Sequence, residues 1–165
     1  MAGLVRRRAE QRAAMRRAGE LGKRTEYLAF SLAGDTYGVE IRLIAEILRP
    51  PPITEVPRAP RSVIGVVSVR GKLVTLLDMR KRFKVKESPI NRLSRILLVD
   101  RGHDDLIGLL VDEVLQVYRL ADSEIEPASV LGGEQPPHIF GIGRPSGAGA
   151  GALLILLDLR PILES

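Results

Sequence analysis

The sequence predicts a mainly β protein, built as two small packed barrels with a few short helices. Three observations carry that expectation. Apolar runs of four to seven residues recur along most of the chain, separated by turn residues every eight to twelve positions. Strands that short, that frequent and that evenly spaced favour closed barrels over an open sheet. The segment 71–80, Gly-Lys-Leu-Val-Thr-Leu-Leu-Asp-Met-Arg, returns eighty residues later at 151–160 as Gly-Ala-Leu-Leu-Ile-Leu-Leu-Asp-Leu-Arg. Such a repeat points to two similar, pseudo-symmetric units. Finally, 165 residues at 45% apolar content suffice for one compact domain with a true core.

Residues 1–24 stand apart. They hold eight basic residues against two acidic ones, a net +6, with few and scattered apolar positions. The segment reads as a basic, flexible tail, either a frayed helix or disordered. Contact with acidic lipid or an acidic protein is its sharper alternative. Residues 25–165 form the domain. They carry 17 basic and 18 acidic residues, a net of only −1, so the expectation is a domain without a long-range field.

Within the domain, 26–32 reads as a strand, 33–36 as a turn and 37–39 as a second strand. Over 41–49, Leu43, Ile44, Ile47 and Leu48 share one helical face, opposite Arg42, Glu46 and Arg49. That spacing predicts the one substantial helix, ended by Pro50, Pro51 and Pro52. After an extended 53–60, a hairpin follows: strand 63–69, turn 70–72 and strand 73–77. Residues 80–90 read as a basic connection. Strands are expected at 94–99, 106–111, 114–118, 139–142 and 153–157, with loops at 101–105, 132–137 and 143–151.

Composition removes much of enzymology. The absence of cysteine excludes disulfides, thiolate metal sites and thiol nucleophiles. No apolar run reaches the roughly eighteen residues that cross a bilayer, and no signal-like stretch follows the N-terminal arginines, so a soluble, intracellular protein is expected. Asp78 and Asp158, at matching places in the repeat, resemble an aspartic dyad, but bulky residues and arginine follow each one. Both read as helix N-caps. His103, in Asp-Arg-Gly-His-Asp-Asp at 100–105, reads as part of a turn, and His138 as a strand-edge residue. The Gly/Ala run at 147–152 feeds a strand where a dinucleotide loop would open a helix. No catalytic, cofactor or metal constellation emerges. Six scattered aromatic residues make a weak platform for stacking bases, so a small-barrel nucleic-acid binder relying on the basic tail is the alternative.

From 26 to 163 the sequence resembles the CheW-like coupling proteins of bacterial chemosensory arrays. The likeness rests on Tyr-Leu-Ala-Phe-Ser-Leu at 27–32, Tyr-Gly-Val-Glu-Ile at 37–41 and Ile-Ala-Glu-Ile at 44–47. It continues through Val-Ile-Gly-Val at 63–66, Arg70-Gly71, Leu-Leu-Asp-Met-Arg at 76–80 and Leu-Leu-Val-Asp-Glu-Val at 109–114. Ser68-Val69 departs from the asparagine and bulky aliphatic residue usual in the family. The resemblance implies two packed five-stranded barrels of SH3/OB-like type, without an active site or cofactor. It implies a cytoplasmic adaptor, recruited to receptor arrays, that joins the tip of a chemoreceptor to the regulatory domain of a CheA-type histidine kinase. Matching positions place partner contacts at Ile44, Glu46, Gly65, Val66, Arg70 and Gly71, with Val111 lining a receptor groove between the barrels. Glu46 and Arg70 are equally suited to pairing with each other, and Gly65 and Gly71 to purely backbone roles.

Overall fold

The computed structural model describes residues 8, 10, 23–133, 136–146 and 152–163. Most of the basic tail and residues 147–151 of the Gly/Ala loop thus lie outside the described residues. Strands β1 (Arg24–Leu32) and β2 (Asp35–Glu40) form a hairpin through Ala33 and Gly34, both with positive φ. Arg70 and Gly71 repeat that geometry, at φ 50° and 78°, between β4 (Val63–Val69) and β5 (Lys72–Asp78). Two-residue turns of this hand match the twist of the strands they join, and Gly71 relieves the backbone where positive φ is demanded.

The predicted helix at 41–49 is not formed. A 3₁₀ turn at Ile41–Leu43 leads into a strand, β3 (Ile44–Leu48), paired with β6 (Arg95–Asp100). Ile44, Glu46 and Leu48 are half-buried while Ala45 and Ile47 are exposed. Ile47 of the expected apolar face is thus exposed and Glu46 of the expected polar face half-buried, so burial does not follow the helical spacing. Strand pairing to β6 and the β-branched isoleucines decide the outcome. Conversely, the segment read as a connection from 80 begins as a helix, α1 (Met79–Phe83), whose N-terminus Asp78 caps by accepting the Arg80 N–H at 2.9 Å.

The remaining elements are β7 (Leu106–Val111), β8 (Glu113–Ala121), β9 (Ile125–Pro127), β10 (Ile139–Gly143), β11 (Leu154–Leu157) and α2 (Arg160–Leu163). They complete two sheets, one ordered β3-β6-β7-β5-β4 and the other β8-β1-β2-β11-β10-β9. The first closes where Thr54, just beyond β3, exchanges hydrogen bonds with Val66 of β4 at 2.9 and 2.8 Å. The second closes through β9, a continuation of β8 past a 3₁₀ turn at Asp122–Glu124, which pairs with β10. Each ring therefore has five strand positions, and the sixth strand of one sheet is a broken fifth.

The two rings match position by position. In each, a parallel pair joins the halves, β5 with β7 and β11 with β2. Each hairpin slips register at the same point, before Gly65 and before Gly141. Both glycines lie under a crossing backbone: a Cβ would stand 2.2 Å from the Thr54 carbonyl oxygen at Gly65, and 2.6 Å from that of Glu126 at Gly141. The repeat seen in the sequence is thus a repeat of structure, with barrel two (41–111) inserted into the chain of barrel one.

Among the described residues three apolar cores result. Tyr27, Ala29, Leu120, Leu154 and Leu156 fill barrel one, and Val67, Val74, Leu76, Ile96, Leu98 and Leu110 lie in barrel two. The largest core lies between them, where Leu28, Phe30 and Val39 meet Leu97, Leu109 and Val111. Strands β1, β6 and β7 consequently bury both faces, which is why they read as unbroken apolar runs.

The fold also separates charge. Residues 41–111 hold 14 basic and 7 acidic residues, a net +7, whereas the rest of the domain holds 3 against 11, a net −8. The expectation of a domain without a field is therefore wrong. Near-neutrality is the sum of one basic and one acidic barrel.

Candidate partner-binding surface

Most of the residues singled out from the sequence gather on one side of barrel two. Strand β3 brings Glu46, β4 brings Gly65 and Val66, and the adjoining turn brings Arg70 and Gly71, whereas Ile44, across a β-bulge from Glu46, packs against the core between the barrels. The first and last strands of this barrel share no ladder, Thr54 beyond β3 forming an isolated bridge with Val66, so a seam runs between β3 and β4. Across it, Arg70 donates to the Glu46 carboxylate. The Arg70 side chain is nevertheless 71% exposed, so water screens the pair and the charges remain presented to a partner.

Val111 is placed differently. It is fully enclosed in the core between the barrels, so it bears on any groove there only through packing beneath the surface. The open part of that junction is a groove of about 490 Å³ whose walls include Leu43, Val99, Phe140, Leu157 and Leu159. Ion pairs Glu40 with Arg42 and Asp158 with Arg160 border it.

Sequence reasoning missed two further residues. Leu115 and Val117 of β8 are 44% and 40% exposed. Val117 stands opposite Leu28, and directly opposed residues share a face, so β8 carries the apolar character of the inter-barrel core out to solvent. The signal in the sequence was weak. Val-Leu-Gln-Val at 114–117 reads as one more core strand until its neighbour is known.

The arrangement has little reactive chemistry. Asp78 and Asp158 are each engaged by the arginine two residues on, so neither is poised to share a proton with the other. The hydrogen bond from the Arg160 guanidinium, helped by the Arg160 N–H, holds the Asp158 carboxyl below its ordinary value despite partial burial. That is the wrong direction for a general acid. His103 has left-handed backbone in a turn closed by the Arg101 N–H on the Asp105 carbonyl at 2.8 Å. His138 stacks on Phe83, with ring centroids 4.3 Å apart, and its carbonyl accepts the Asp158 N–H. Among the described residues, no group of three or more His, Asp or Glu side chains is placed to hold a metal. No helix among them is long and apolar enough to cross a membrane.

The nucleic-acid alternative finds no support in these surfaces. Tyr27, Phe30 and Tyr37 are core residues, and Phe83 is stacked between Tyr37 and His138. They offer no row of open rings for bases.

Comparison with known proteins points one way. The family described as "CheW-like domain" matches residues 26–165. A chemotaxis protein CheW from Helicobacter pylori is 29% identical over 139 residues, covering 84% of this chain and 81% of its relative. One from Klebsiella aerogenes is 28% identical, covering 85% and 82%, and protein FrzA of Myxococcus xanthus is 27% identical, covering 74% and 76%. The crystal structure of scaffolding protein TtCheW from Thermoanaerobacter tengcongensis superposes with a TM-score of 0.74 at 27% identity, covering 86% of this chain and 94% of that one. Two interleaved barrels of matching strand order, joined to a family match spanning the whole domain, make this chain a member of the CheW-like family.

Proposed function

We propose that the chain is a chemotaxis adaptor without catalytic activity, coupling the cytoplasmic tip of a chemoreceptor to the regulatory domain of a CheA-type histidine kinase. The observation that carries this reading is the extent of the family match, 26–165, over a domain whose described residues form contact surfaces and no reactive cluster. Recognition of this kind needs area and complementarity rather than a nucleophile.

In this reading the seam of barrel two faces the kinase. Glu46 and Arg70 supply charge, Val66 supplies apolar area, and Ile44 acts from the inter-barrel side of the same strand. Gly65 and Gly71 shape the backbone beneath. The junction between the barrels faces the receptor, with Val111 supporting it from within and Leu115 and Val117 of β8 adding exposed apolar area. Holding kinase and receptor on one scaffold raises their mutual effective concentration, and different contacts in the receptor's two states shift the kinase equilibrium. Recruitment to receptor arrays in the cytoplasm follows from those contacts. The basic tail adds attraction to acidic lipid or protein nearby.

The test is direct binding. Purified full chain is titrated with a receptor helical hairpin and, separately, with the kinase regulatory domain. Association at or below roughly tens of micromolar is expected for each, and absence of both interactions at that concentration rejects the reading.

A further inference from the structure

We infer that barrel two carries, at the end remote from the Arg70-Gly71 turn, a docking groove for a short acidic protein segment. Strand β4 runs seven residues between the two ends, roughly 20 Å. The groove is therefore a separate surface from the Glu46 and Arg70 seam. It measures about 620 Å³ and is lined by Arg61, Lys81, Arg82 and Lys84, with Val85 as an apolar wall and Glu87 as its one carboxylate.

Two features set this cluster apart from ordinary solvated charge. Among the described residues Arg61, Lys81, Lys84 and neighbouring Lys86 form no ion pair, although nine such pairs occur elsewhere. The C-terminal end of α1 accounts for cations at Lys81 and Arg82, because they face the negative pole of the helix. It does not account for Arg61, which precedes β4, or for Lys86 beyond the helix. The cluster also sits on the barrel whose net charge is +7.

The neighbourhood limits what fits. Helix α1 lies against barrel one: Arg82 donates to the Pro161 carbonyl at 3.0 Å, and Phe83 stacks on His138. Barrel one belongs to the part of the domain with net charge −8. An extended polyanion, such as a membrane plane or a nucleic-acid duplex, meets that repulsion within a Debye length of roughly 8 Å. A short segment lying inside the groove meets chiefly the cations. Two of the four lining cations are lysines, with Lys86 beside them, and their compact ammonium groups on flexible stems suit scattered carboxylates better than the planar fork that grips phosphate. Val85 accepts an apolar side chain among the acids, and Glu87 penalises any cation on the segment.

This surface goes beyond the adaptor reading, and its probe is neither receptor nor kinase, so the two stand or fall separately. The experiment uses the full chain and a short labelled peptide rich in Glu and Asp with one leucine, followed by fluorescence anisotropy. The triple variant Arg61→Gln, Lys81→Gln, Lys84→Asn removes three exposed charges; asparagine tolerates the left-handed backbone at 84. Affinity is expected to fall about tenfold or more in the triple variant. It is also expected to weaken as salt rises from about 50 to about 300 mM. The single reversal Lys81→Glu, followed by circular dichroism, gives the same direction of change if the triple variant is unstable. Unchanged affinity in a folded triple variant overturns the proposal. So does loss of binding on neutralising Arg6, Arg7 and Arg8 instead, which moves the site to the tail. Tighter binding of inorganic polyphosphate, or of vesicles with roughly 30% phosphatidylserine, also overturns it, because the occupant is then a phosphate.

Discussion

Replacing Arg80 by methionine tests how the two barrels are fastened together. The guanidinium is only 6% exposed and meets Asp78 at 3.1 Å and Asp112 at 3.2 Å, while also donating to Ser88. Asp112 in turn accepts the Ala33 N–H at 2.8 Å. One buried arginine thus ties α1 of barrel two to the first hairpin of barrel one. Burial alone disfavours its charge, but the hydrogen bond and charge of Asp78, with Asp112 and Glu87 adding to them, leave its pKa above the ordinary value. Methionine keeps much of the volume and strands Asp78, whose side chain is 5% exposed, with only the Arg80 N–H to serve it. Breaking a buried pair from one side costs about 3–5 kcal/mol, or roughly 6–20 °C in Tm for a domain of this size. The internal repeat supplies the control. Arg160 holds Asp158 in the same way, at 2.7 to 3.2 Å, but its side chain is 83% exposed, so Arg160→Met should cost below about 1 kcal/mol. Urea unfolding of both variants by circular dichroism makes the comparison. Equal, small losses would refute the idea that the buried arginine locks the barrels.

Three further outcomes are expected. Glu46→Gln and Arg70→Gln should each change stability by less than about 1 kcal/mol, since the pair is largely screened; calorimetric loss of kinase-domain binding with Tm intact then marks partner contact, and restoration in the exchanged pair Glu46→Arg with Arg70→Glu marks a structural brace. Gly65→Ala drives a Cβ into the Thr54 backbone and should cost more than about 2 kcal/mol, whereas Gly71→Ala, with open space but φ of 78°, should cost about 1 kcal/mol, both measured by chemical denaturation. The third concerns acid. Burial first, and the Arg82 charge second, push the His138 imidazole below its ordinary 6.5. The unfolded chain then takes up the proton before the folded one, so stability should decline as pH falls below that value and level off beneath the folded pKa. Tm recorded between pH 8 and pH 5 should show a shallower decline in His138→Gln, and identical profiles would exclude this histidine as the source. The further loss expected through Asp158 belongs to a lower window, below its ordinary 3.8.

Much of the architecture could be read from residue order alone, because strands of this kind announce themselves through local chemistry. The Asp78 and Asp158 caps, the Ala33-Gly34 and Arg70-Gly71 turns and the recurrence of 71–80 at 151–160 are properties of short segments, and local sterics and hydrogen bonding determine them. What depends on partners distant in the chain was not readable. Residues 41–49 space their apolar side chains as a helix would, and only the presence of β6 alongside makes 44–48 a strand. Val111 and Val117 are both valines in apolar strands, yet one is sealed between barrels and the other overhangs their junction. The charge of 25–165 sums to −1 in any order, and only the insertion of one barrel into the chain of the other divides it into +7 and −8. Burial, exposure and field are sums over neighbours in space, so a linear sequence states the contributions and the tertiary fold decides which of them meet.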